Sequence, residues 1–150
     1  MATKLTATLV ALASALAATS ARADCVAGEA TVFACQTAQG KRIEVCDAGK
    51  TLTYSFGRPQ AQPEIMLRVA RERASTSQWN GLGRFIAYSV DIPNGDTVYS
   101  VFWGADRLSD DHPIEAGVEV LVKGRLAATV RCADGEIVQA IEGLDLKPTD

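Results

Sequence analysis

The sequence predicts an all-β fold: a single antiparallel β-barrel or β-sandwich of about eight strands, stapled by disulfides and carrying a short C-terminal helical turn. Three observations lead there. Short runs rich in Val, Ile, Thr, Tyr and Phe recur along the chain, broken by Gly, Pro, Asn or Asp. Several of these runs pair into hairpins that put large apolar residues on one face. The four cysteines, Cys25, Cys35, Cys46 and Cys132, form an even set without zinc-type spacing.

The elements follow in chain order. Lys4, the apolar run from Leu5 to Ala18 and the small residues of Ala21-Arg22-Ala23 form a secretory signal over residues 1–23. That run is too short for a membrane span, and no second one follows, so no membrane insertion is expected. Residues 24–150 then constitute a single all-β domain, periplasmic or secreted. Loss of Lys4 and Arg22 leaves 13 basic against 18 acidic residues. An acidic surface of this kind is unsuited to nucleic acid, which needs a basic face.

Candidate strands fall at 30–37, 41–46, 51–56, 63–69, 84–92, 97–103, 118–123 and 126–132. A three-residue loop at Gln39-Gly40 pairs Phe33 with Val45 and Cys35 with Ile43. Asn94-Gly95 has the composition of a two-residue type I′ turn, which pairs Val90 with Tyr99, Tyr88 with Val101 and Ile86 with Trp103. A three-residue loop around Gly124 pairs Val122 with Leu126, Val120 with Ala128 and Val118 with Val130, leaving Glu119, Lys123, Thr129 and Arg131 outward. Residues 71–83 read as a polar connection with one buried aromatic, Trp79, and 106–117 as another. Ile137, Val138 and Ile141 have the spacing of one or two helical turns ending at Gly143.

In an exported chain four cysteines mean two disulfides. The first hairpin's register turns Cys35 and Cys46 to opposite faces, which disfavours a bridge between them and favours Cys35 with Cys132 and Cys25 with Cys46. A single bulge would reverse that argument, so the sequence leaves the connectivity open.

Catalytic constellations are missing. The lone histidine, His112, sits in a turn-like Ser-Asp-Asp-His-Pro stretch, and cysteines in disulfides supply no thiolate nucleophile. The acidic pairs Asp91 with Asp96 and Asp110 with Asp111 are ordinary hydrated charges unless the fold places them around a substrate. Asp106 to Asp111 lacks the EF-hand glycine and terminal glutamate, and Gly81-Leu82-Gly83 is no phosphate loop. The expectation is a non-enzyme without cofactor or metal, a rigid scaffold whose hairpin tip Asn94, Gly95 and Asp96 binds a protein partner.

The stretch Asn94-Gly95-Asp96-Thr97-Val98-Tyr99 resembles the loop of the bacterial periplasmic lysozyme inhibitors, small exported antiparallel β proteins that insert a Ser-Gly-x-x-Tyr loop into the enzyme's cleft. Here asparagine replaces serine and the tyrosine comes one residue late. The resemblance implies inhibition of a lysozyme-type, basic wall-degrading hydrolase. Two rival readings are an immunity or accessory protein for another exported effector, and a structural envelope protein without an enzymatic target.

Overall fold

The computed structural model describes residues 25–149, so the signal reading of residues 1–23 lies outside the described part. Two sheets face each other as a sandwich. The first is built from β1 (Ala30–Gln36), β2 (Arg42–Asp47), β3 (Thr51–Gly57) and β4 (Ile65–Ala70). The second holds β5 (Ser75–Ser77), β6 (Phe85–Asn94), β7 (Thr97–Asp106), β8 (Ile114–Val122) and β9 (Arg125–Arg131). Two short strands, β10 (Val138–Gln139) and β11 (Lys147–Pro148), complete the orders β10-β1-β2-β3-β4 and β11-β5-β6-β7-β8-β9. Every pairing is antiparallel except β11 with β5.

All eight expected strands form, and the sheets do not close into a barrel. At one corner an antiparallel bridge between Thr37 and Cys132 joins them beyond the ends of β1 and β9. The three additional strands span only two or three residues each, too few for a two-residue alternation to show.

Alternation along the long strands builds the core. Phe33, Ile43, Val45, Leu52 and Tyr54 from the first sheet meet Val90, Ile92, Val101 and Val118 from the second, all essentially excluded from solvent. Tyr54 stacks on Tyr99 across the sandwich with ring centroids 5.0 Å apart, and burial pushes the Tyr54 phenol far above its ordinary pKa. Trp79, expected inside, is half-buried and donates its indole N–H to the Leu82 carbonyl at 2.8 Å.

The disulfides are Cys25–Cys46 and Cys35–Cys132, the pairing the hairpin register favours. Phe33 faces Val45 and Cys35 faces Ile43 as expected, with Gly40 at φ 73° in the loop. The bulge in β1 falls between Thr31 and Phe33, before Cys35, and leaves that register intact.

The expected helical turn at 135–143 is absent; the only helical residues among those described are the single 3-10 turn Arg71–Arg73. Val138 and Gln139 pair instead with the free edge of β1. The Gln139 side chain then accepts from the backbone N–H of Ile141 at 2.6 Å and of Glu142 at 3.2 Å, doing the work of a helical carbonyl. Ile141 is fully buried, and the chain continues past half-buried Leu144 and Leu146 to β11 on the second sheet. Residues 138–148 therefore form a strap from the edge of one sheet to the edge of the other. An apolar spacing of one, three and four suits this path as well as it suits a helix.

Candidate binding surface

Two hairpins of the second sheet end side by side. The β6–β7 turn is Gly95-Asp96, with Asn94 facing Thr97 as the last strand pair. Positive φ occurs at Gly95 (60°) and at neither Asn94 nor Asp96, the pattern of a type II′ turn with glycine first. The type I′ turn expected at Asn94-Gly95 is thus displaced by one residue. Each strand pair shifts by two, so that Tyr88 faces Trp103, Val90 faces Val101 and Ile92 faces Tyr99. A shift of two preserves the faces, which is why the apolar residues still point inward.

The type I′ turn lies at the neighbouring tip. Lys123 and Gly124 both have positive φ, 51° and 72°, between the paired Val122 and Arg125. The pairs Val118 with Val130 and Val120 with Ala128 are as expected, but a bulge between Val120 and Leu121 then sets Leu121 opposite Leu126. Leu126 was expected to share a face with Val122. The extra residue, Ala127, rotates it to the outward face, where it is 59% exposed.

The two tips brace each other. The Lys123 N–H donates to the Asp96 carbonyl at 2.8 Å, and the Lys123 ammonium lies 3.9 Å from the Asp96 carboxylate. That ion pair is largely exposed and adds little stability. The backbone bond fixes one turn against the other. Asn94, Gly95 and Asp96 are all exposed and contiguous, as the sequence suggested, whereas Tyr99 points into the core against Tyr54.

Behind the tips the registers align Pro93, Val98, Leu121 and Leu126 across four strands on the outward face. The result is an apolar row ending in exposed Leu126 at the sheet edge. The sequence showed no sign of this row, because it depends on the bulge at Ala127, and such a bulge requires no glycine or other marked residue.

The remaining candidates are dispersed. Asp91 accepts from Ser100 at 2.5 Å and from Thr149 at 2.8 Å and is not joined with Asp96. Asp106 accepts from the Arg84 side chain at 2.7 Å and from the Leu108 N–H at 3.1 Å, and the Arg84 hydrogen bond is the main cause holding its carboxyl below its ordinary range. His112, at φ 42°, places Nδ1 3.1 Å from the Asp106 carbonyl. Asp106 is thus the anchor of the 107–113 loop. Cys25, Glu44 and Cys46 cluster within 4.8 Å, but both sulfurs are spent in their disulfide and are no thiolate ligands.

Among the described residues no helix is long and apolar enough to cross a membrane. Comparison with family models, with curated proteins and with solved structures finds no match.

Proposed function

We propose that this is an exported protein-binding module that presents the braced tips of β6–β7 and β8–β9 to its partner, a basic wall-degrading hydrolase of the lysozyme type. The observation that carries the reading is the backbone hydrogen bond from Lys123 to Asp96, which holds two exposed turns as one projecting edge. A tip ordered before binding enters a cleft without the entropic cost of freezing a loop. The apolar row behind it supplies contact area, and the two disulfides suit an oxidising compartment. The excess of acidic over basic residues favours encounter with a basic partner.

The test uses the oxidised domain as bait for a panel of wall-degrading hydrolases and for the host's envelope extract, followed by activity assays on any lysozyme retained. Stoichiometric inhibition that falls at least tenfold in Asp96→Lys and in Leu126→Asp supports the reading. Both side chains are exposed, so the fold should survive. Retention of one other protein moves the function to an immunity or accessory role.

One observation favours a structural role instead. β9 is an outer strand of its sheet, and Arg125 to Thr129 are exposed without interruption, the kind of edge on which chains assemble. Concentration-dependent self-association in sedimentation, with no hydrolase bound, would select that alternative.

A further inference from the structure

We infer that the outward face of the second sheet carries a saccharide-binding groove at the end opposite the hairpin tips. The groove has a volume of about 600 Å3 and lies over the first half of β6, the second half of β7 and the start of β8. Its floor is low because Ala87 and Gly104 face each other there. Phe85 stands at one end, 61% exposed. Phe102 stands toward the other, flanked across the strands by Ser89 and Gly117, neither of which carries a bulky side chain.

Phe102 pairs with Ser89, four residues along β6 from Phe85. At about 3.3 Å per residue the two rings are roughly 13 Å apart along the strands, a span that suits an oligosaccharide of two or three rings better than a single small molecule.

The rim is polar. At the Phe85 end Arg84 pairs with Asp106, and on the β8 side Glu115 pairs with Arg131 at 2.9 Å. Ser77 and Ser89 face each other on the β5 side.

Two features favour a sugar over an extended peptide. The floor consists of strands already paired on both sides, β6 with β5 and β7, and β7 with β6 and β8. A peptide lying there would find no free backbone groups with which to extend the sheet. What the groove does offer is aromatic surface separated by small residues and ringed by hydroxyls and charged donors and acceptors. That combination complements a pyranose, whose C–H face packs on a ring while its hydroxyls reach sideways.

The experiment is an NMR titration of the oxidised 15N-labelled domain with chitotriose, cellotriose, maltotriose and solubilised wall glycan, each to 10 mM. The expected result is saturable perturbation of the amides of 85–89 and 102–106 by at least one saccharide. Affinity should be weakened roughly tenfold by Phe85→Ala, where truncation of an exposed ring spares the core, and be unchanged in Asp96→Lys. Because the tips lie at the far end of the same strands, that last comparison separates this site from the proposed protein-binding edge. Perturbation by none of these saccharides, perturbation confined to other residues, or displacement of the saccharide by Asp96 substitution would overturn the assignment. So would saturable occupation of the groove by an apolar peptide in place of any sugar.

Discussion

At position 117, where β9 runs alongside β8, a β-carbon would be driven into the carbonyl oxygen of Val130 and to 3.0 Å from the Cα of Arg131. Backbone atoms of a paired strand cannot swing aside as a side-chain end can. Gly117→Ala should therefore cost about 3 kcal/mol by forcing β8 and β9 apart, measurable as a lower denaturant midpoint with unchanged slope. Gly28 sits in open space, so the same substitution there meets no neighbour and carries only the cost of its φ of 94°. Asp106 makes a second prediction at this scale. Its carboxyl is held below the ordinary range chiefly by the hydrogen bond from Arg84, so the folded state favours the ionised form. That contribution is complete above the unfolded pKa of about 3.9 and is lost as pH falls through the lower folded value. In thermal melts between pH 5 and pH 2.5, the stability gap between the wild type and Asp106→Asn should narrow with acidification. A constant gap would show that the carboxylate's charge is not what anchors the 107–113 loop.

Among the elements, the hairpins show what a sequence discloses and what it withholds. The first was legible because a three-residue loop ending in Gly40 and an apolar face that includes Phe33, Cys35, Ile43 and Val45 agree on one register. At the second, Asn94 and Gly95 both suit a turn, and the alternation of apolar residues cannot distinguish registers that differ by two. Positive φ at Gly95 alone resolves it. Gly95→Ala should accordingly destabilise by about 1 kcal/mol, while Asn94→Ala, in an extended backbone, should be close to neutral. The type I′ tip makes the converse prediction. Lys123 occupies a left-handed conformation that asparagine adopts more easily, so Lys123→Asn should stabilise by about 0.5 kcal/mol. Equilibrium unfolding of the three single variants checks all of these. Of the candidate site, the tip residues Asn94, Gly95 and Asp96 could be read from turn chemistry. Leu126 could not, because its outward direction is decided by one bulged alanine.

For the molecule as a whole, the sequence disclosed the eight longer strands but not the three short ones or the closing of the sandwich. Which sheet edges meet depends on contacts between residues far apart in the chain, such as Thr37 with Cys132. The disulfides divide the work unequally. Cys35–Cys132 spans 97 positions and joins the two sheets, whereas Cys25–Cys46 spans 21 and ties the N-terminal segment to β2. Chain-entropy arguments assign them about 4.7 and about 3.4 kcal/mol respectively. Paired Cys→Ala removal of the first should lower unfolding stability by about 1 kcal/mol more than removal of the second. Equal losses would point to strain or residual structure outweighing loop length.

The strap from Val138 to Pro148 has a consequence in time as well as in space. Ile141 seals the core, and β11 supplies the outermost strand beside β5, yet both are made after every strand they hold together. A growing chain that has just passed β9 possesses both halves of Cys35–Cys132 but still lacks Ile141 over its core. Sheet formation can begin early on local hairpins, while the step that excludes water waits for the last residues of the strap. An open core until the strap arrives is compatible with the export proposed above, because a chain that threads a narrow channel must not yet be folded.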